Sequence, residues 1–148
     1  MIFNKQITTL RELDELLPMI EGFHKTQPWC GLFPFTGYLL WLTLNFPNLG
    51  IWGWWEEHEA IEEPILIGYV IAGLQMTNMV KECIFYEAYS AINHPLKYTR
   101  EGFETVKEWG KNNGAEILSM YTESERVRDV GIKRYGFEVS RYYLTQRL

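Results

Sequence analysis

The residues best placed by type and spacing to do chemistry lie in one stretch, Glu82 to Gly102, ECIFYEAYSAINHPLKYTREG. A dense apolar and aromatic run, Cys83 to Tyr89, breaks at Asn93-His94-Pro95 and reopens as a periodic segment from about Arg100. That order predicts strand, loop, helix. In an α/β protein the carboxyl end of a strand, facing a helix N-terminus, is where an anionic ligand is commonly held, because the first amides of a helix have no partner within it. Glu87 stands mid-run among aromatic residues. Facing a groove, it would have its pKa raised by desolvation and could accept a proton. Facing water, it is an ordinary carboxylate on a half-buried strand. His94, beside the loop, could reach a bound phosphate or serve only as a loop residue.

The elements that must position these residues belong to a chain of 148 residues, long enough for one domain with a sizeable core, so a single domain over residues 1–148 is expected. Apolar residues make up 47% and charged residues 22%, which excludes a disordered chain. The 6 Trp, 9 Tyr and 8 Phe suit a packed core, an aromatic-lined groove, or both. A net charge of -5 argues against a nonspecific nucleic-acid binder, although Arg126, Arg128, Lys133, Arg134, Arg141 and Arg147 make the C-terminal part locally basic. Acidic residues gather at Glu56, Glu57, Glu59, Glu62 and Glu63. Cys30 and Cys83 show no metal-ligand spacing, so no metal site is expected, and a disulfide scaffold is disfavoured. Without a signal-peptide pattern or an 18-residue apolar run, a cytoplasmic protein with no membrane segment is expected.

Periodicity and punctuation give a coarse order β-α-α-β-β-β-α-β-α-β. Met1–Gln6 reads as a first strand. Thr9 and Glu12 form a capping box before a helix from Leu10 to about Glu21, which Pro18 should bend or end early. Thr36 is expected to cap a second helix, Gly37 to Phe46, apolar nearly all round and therefore either buried or a candidate homodimer surface. Ile51–Glu56 and Ile65–Met76 read as strands flanking a polar turn, and Thr77–Glu82 as a turn before the strand Cys83–Ser90. A helix over Thr99–Lys111, a strand over Ala115–Tyr121 and a helix over Glu123–Tyr135 follow. Thr122 and Glu125 are the expected capping box of that last helix, and Gly136 its C-cap. Phe137–Arg147 reads as a final strand.

The late helix running into Arg134-Tyr135-Gly136-Phe137-Glu138-Val139, the segment Ile67-Gly68-Tyr69-Val70-Ile71-Ala72-Gly73 and the element order together resemble the GCN5-related N-acetyltransferase superfamily. The resemblance implies an α/β (α+β) fold with a mixed, mostly antiparallel central sheet flanked by helices. It implies acetyl-CoA or another acyl-CoA as cofactor and an acyl transfer to a primary amine of a small molecule or protein. It also implies that the strand Cys83–Ala91 splays from Ala115–Tyr121. Tyr89, Ser90 and Ala91 would then offer backbone to the pantetheine arm, and a turn at Lys97–Gly102 would hold the pyrophosphate, with Lys97, Arg100, Glu101 and Gly102 around it. This turn has one glycine where the family carries several. The position of the family's acidic tyrosine on the late helix is Ile132.

Acyl transfer to an amine needs a base, polarisation of the thioester carbonyl and protonation of the departing thiolate. Glu87 is the candidate base, and the backbone amide near Tyr89 the candidate oxyanion donor. In the resembled fold the rim carrying Glu56, Glu57 and His58 approaches the acceptor, so Glu57 could orient a cation there, or the run is a solvated turn. Tyr142 and Tyr143 alternate on the last segment, and Tyr142 is taken as the one that could reach the acceptor. Two other readings stand beside the enzyme: an inactive binding or structural module on the same fold, and a nucleic-acid protein using the C-terminal basic cluster.

Overall fold

The computed structural model describes residues 1–27, 34–91, 96–122, 124–140 and 146, with the backbone alone for 96–98. The elements are β1 (Ile2–Gln6), α1 (Leu10–Thr26), α2 (Phe35–Asn45), a 3-10 turn at Phe46–Asn48, β2 (Leu49–Glu56), β3 (Ile65–Thr77), β4 (Val80–Ser90), α3 (Leu96–Asn112), β5 (Ile117–Met120) and α4 (Glu125–Tyr135). The strands form one sheet in the order β1-β2-β3-β4-β5, antiparallel except for the parallel β4–β5 pair. This is the mixed, mostly antiparallel sheet that the family resemblance implied.

Each sheet face carries its own core. On one face α1 and α2 bury Leu13, Leu16, Ile20, Tyr38 and Leu42 against Ile51, Trp55, Tyr69 and Ile71. On the other, α3 sets Val106 against Trp52, Trp54, Val70, Ala72 and Cys83. Two glycines in β2 make room for its tryptophans. The Trp52 ring lies over Gly50 and the Trp55 ring over Gly53, so a Cβ at either glycine would fall within 2.4 Å and 2.3 Å of ring carbons respectively. Gly102, Val106 and Gly110 form the buried row of α3, and a Cβ at Gly110 would meet the Cys83 Cβ at 2.8 Å.

The expected boundaries need correction at five places. Helix α1 runs through Pro18 to Thr26. A mid-helix proline costs about 3 kcal/mol, but the stripe Leu13, Leu16, Ile20 and His24 is buried along the whole length, and each fully buried leucine or isoleucine contributes about 1.5–3 kcal/mol. His24, beyond the expected end of the helix, is therefore a buried helix residue. Helix α2 starts at Phe35 with Pro34 as N-cap and no side-chain cap, so Thr36 lies inside it; Leu40 and Leu44 on its outer side are exposed while Tyr38 and Leu42 are buried. The β3–β4 connection is the two-residue turn Asn78-Met79, both at positive φ, the twist that suits a tight hairpin. Helix α4 is capped by Ser124, whose side chain accepts from the Val127 N–H, while Gly136 closes it in the left-handed conformation as expected. Residues 137–140 form no strand, and the rest of the expected final strand, Gln146 apart, lies outside the described residues. The capping box of Thr9 and Glu12 is present. No helix among the described residues is long and apolar enough to cross a membrane.

Candidate functional site

The site begins with a change in pairing along β4. From Glu82 to Phe85 the strand is hydrogen-bonded on both sides, to β3 and, through Ile117–Met120, to β5. The β5 pairing then stops, and β4 continues for Tyr86–Ser90 with β3 alone. At the same point the register to β3 jumps from Ala72↔Phe85 to Ile71↔Glu87, so Tyr86 is an extra, bulged residue. A bulge bends its strand and increases the local twist, which accounts for the divergence of β4 from β5. Past it, β4 presents a backbone edge with no pairing partner among the described residues. The side chains of Tyr86, Ala88 and Ser90 are exposed beside it, while those of Glu87 and Tyr89 are buried or half-buried.

Antiparallel alternation decides which backbone groups face the open side. The Ala91 N–H donates to the Ile67 carbonyl at 2.8 Å, and Tyr69↔Tyr89 lies two residues along in the same register. Ala91 and Tyr89 therefore direct their backbone to β3, and Ala88 and Ser90 direct theirs to the groove. This corrects the expectation for Tyr89 and Ala91; only Ser90 of the three offers its backbone. Gly68 sits opposite Ser90, where a Cβ would come within 2.7 Å of the Tyr89 carbonyl oxygen, so the two strands approach closely here.

The carboxylate of Glu87 lies on the α1/α2 face, immediately after the bulge. The Tyr38 hydroxyl, from α2, donates to Oε2 at 2.6 Å, and the Tyr69 hydroxyl, from β3, donates to Oε1. Glu87 is only 9% exposed. Burial pushes its pKa above 4.5, and the two tyrosine hydrogen bonds and nearby His24 pull the other way. Burial and the carboxylate together push both tyrosines well above the ordinary phenol range, so they remain protonated donors. Glu87 is thus a buried carboxylate of raised pKa held between two phenols that stay protonated, the arrangement of a proton acceptor. Tyr38 stacks on Trp41, and Trp41 meets bulged Tyr86 edge-on, with centroids 5.0 Å apart. Helix α2 therefore braces both the carboxylate and the bulge. Sequence reading found Glu87 but not Tyr38 or Tyr69, whose contacts span 49 and 18 residues.

The other candidates are distributed differently. Residues 97–102 form no turn: they lie within α3, which starts at Leu96. The helix commits the amides of Arg100, Glu101 and Gly102 to carbonyls one turn back, so the amides free of helical partners are those of Leu96, Lys97 and Tyr98. Glu101 accepts from the Asn4 side chain on β1, and Gly102 packs beneath the Trp54 ring, where a Cβ would meet it at 3.3 Å. Both hold α3 to the sheet. The single glycine is explained by helix packing. Arg100 is exposed. Glu57 follows β2, and its N–H donates to the Met1 carbonyl at the β1 edge. Neighbouring Glu56 is level with Ile65, six residues from Ile71, the partner of Glu87. At about 3.3 Å per residue that is about 20 Å along the sheet, so Glu57 and Glu87 are not brought together. Tyr142, Tyr143, His94 and Cys30 lie outside the described residues. Ile132, at the family's tyrosine position, is exposed on α4.

No family model matches the chain, and no curated protein matches it by sequence. Solved structures do. A protein from Pyrococcus furiosus described as a "Putative acetyl transferase" superposes with a TM-score of 0.76 at 12% identity, covering 99% of this chain and 100% of that one. A predicted acetyltransferase from Clostridium acetobutylicum, solved with acetyl-CoA, gives 0.72 at 12% identity over 99% and 96%. The aminoglycoside acetyltransferase AAC(6')-Iy, solved with the bisubstrate analogue CoA-S-monomethyl-acetylneamine, gives 0.70 at 13% identity over 100% and 98%. The chain shares the fold of these acetyltransferases, the fold that the resemblance in its sequence implied.

Proposed function

We propose that the chain is an acyl-CoA-dependent N-acyltransferase that moves an acetyl or other acyl group from CoA to a primary amine of a small molecule. The observation that carries this reading is the open β4 edge, Tyr86 to Ser90, with buried Glu87 at one end and the first amides of α3 beyond the other. An extended pantetheine arm, with its two amides, pairs with the backbone of Ala88 and Ser90 as an added strand would. The amides of Leu96, Lys97 and Tyr98 take the pyrophosphate, with charge from Lys97 and Arg100. The Ala88 N–H, and not one at Tyr89, is then the groove-facing donor available to the thioester carbonyl oxygen. The amine nitrogen attacks that carbonyl carbon, the carbon–sulfur bond breaks, and CoA leaves as its thiolate. The proton lost by nitrogen passes to Glu87 through water or a tyrosine hydroxyl, and the thiolate takes a proton from solvent. AAC(6')-Iy, solved with CoA joined to an acetylated amine, supports a small-molecule acceptor on this fold.

Calorimetric titration with acetyl-CoA, followed by thiol release in the presence of primary amines, tests the reading. Binding tighter than about 1 mM and amine-dependent thiol release are expected; absence of binding at that concentration sinks it. Ile132 favours a second reading, a module that keeps the groove without turnover. Binding without thiol release across a broad amine panel is its signature.

A further inference from the structure

A cleft of about 450 Å3 opens beside α1 at the end of the sheet where β3 begins and β4 finishes, lined by Glu15, Pro18, Met19, Gly22, Phe23, Leu66 and Tyr89. Its α1 residues form one stripe, next to the buried stripe Leu13, Leu16, Ile20 and His24. The absent side chain of Gly22 and the compact ring of Pro18 shape its wall, and a Cβ at Gly22 would meet nothing within 4 Å. Pro18, with no N–H, also leaves the Asp14 carbonyl without its helical donor. Among the described lining residues Glu15 is the one acidic or basic side chain, set in an otherwise largely apolar wall. Lys5, which also feels Glu15, is itself bound to Glu12 at 2.7 Å.

The inner end of the cleft leads to the proposed base. Phe23 packs on Tyr89 with centroids 5.1 Å apart, Tyr89 on Tyr69 at 6.1 Å, and the Tyr69 hydroxyl donates to Glu87. Tyr89 and Glu87 are two residues apart on one strand face, about 7 Å. Glu15 lies at the far end, eight residues before Phe23, about 12 Å along the helix. An amine reacting at Glu87 therefore cannot also pair with Glu15.

Resting on the transferase reading above, we infer that the cleft selects an α,ω-diamine: one amino group enters at Tyr89 to be acylated, an aliphatic chain lies along Pro18, Met19 and Gly22, and the second, charged ammonium is held by Glu15. The spacing of Glu15 from the reacting end sets the preferred length, and a single carboxylate suits one distal cation better than the several charges of an aminoglycoside.

The test uses the full chain without CoA, so that it stands apart from turnover. Methyl-labelled methionine gives five signals, and Met19 is the reporter. Titration with α,ω-diaminooctane should shift the Met19 signal and bind at least about tenfold tighter than octylamine, which lacks the distal ammonium, or α,ω-diaminobutane, which cannot span the cleft. In Glu15→Gln the diamine should bind only as well as octylamine. Gly22→Leu, which fills open space and favours the helix, should abolish the Met19 response while leaving thermal stability intact and acetyl-CoA affinity within about twofold. A Met19 signal indifferent to the diamine, or diamine affinity unchanged in both variants, overturns the inference. Diamine binding without acetyl-CoA binding would keep the cleft and remove the transferase. Turnover whose amine KM ignores both substitutions would do the reverse.

Discussion

The two halves of β4 are built from similar residues and do different work. In the first half, Glu82 to Phe85, strands pair on both sides, Cys83 and Ile84 are buried, and α3 packs so closely that a Cβ at Gly110 would meet the Cys83 Cβ at 2.8 Å. In the second half, Tyr86 to Ser90, one edge is open, exposed and buried side chains alternate, and the buried polar group is a carboxylate clamped by two phenols. A single extra residue, Tyr86, separates them. The comparison teaches that a local break in a ladder, and not a special sequence motif, creates both the edge that can bind an extended ligand and the turn that aims Glu87 at α2.

Substitutions in the second half should cut activity and those in the first half stability. The largest effect is expected from Glu87→Gln, which removes the proton acceptor: acyl-transfer rate should fall by about 10²–10⁴ with acetyl-CoA affinity nearly unchanged, as read by thiol release and calorimetry. The same residue fixes the pH dependence. Its folded pKa is raised above 4.5. The stabilisation it contributes is then fully present below that value and lost as pH rises through the folded pKa, where the buried group must ionise. Activity should run the opposite way, rising with pH as the base ionises. Denaturant unfolding across pH should show that loss in the wild type and not in Glu87→Gln.

Against the first half, Gly110→Val on α3 drives a branched side chain into Cys83, and overpacking of this kind costs about 1–3 kcal/mol. The Tm should fall by several degrees with little change in KM for acetyl-CoA. A smaller effect is chemical. Burial pushes the Cys83 thiol up to about 11, so peptide mapping after iodoacetamide treatment at neutral pH should find Cys83 unmodified until the chain unfolds. The smallest is Met79→Gly at the hairpin tip, which relieves a positive φ of 66° on an exposed side chain and should raise stability by about 0.5–1 kcal/mol.

Local signals carried much of the fold. The Thr9–Glu12 capping box, the Gly136 C-cap and the long apolar runs of β3 and β4 each depend on neighbours within a few residues, so they can be read without knowing what packs where. Pro18 misled because its cost is local while the compensating burial of Ile20 and His24 is tertiary. A turn at residues 97–102 was implied by the family resemblance alone, yet its one glycine, Gly102, serves the Trp54 ring, 48 positions earlier in the sequence. Glu87 was legible as a carboxylate among aromatics. Its clamp was not, since Tyr38 lies on a mostly apolar helix and meets Glu87 across 49 residues of sequence. The choice of Ser90 over Tyr89 and Ala91 needs the β3–β4 register, which no single-strand pattern supplies.

The central claim is that β4 offers its unpaired edge to an acyl-CoA. Amide hydrogen exchange on the full chain, with and without saturating acetyl-CoA, tests it residue by residue. The amides of Ala88 and Ser90 should gain protection, with those of Leu96, Lys97 and Tyr98, while Cys83 and Ile84, already paired on both sides of the strand, stay unchanged. Protection confined to other segments, or no change at millimolar acetyl-CoA, would contradict the account.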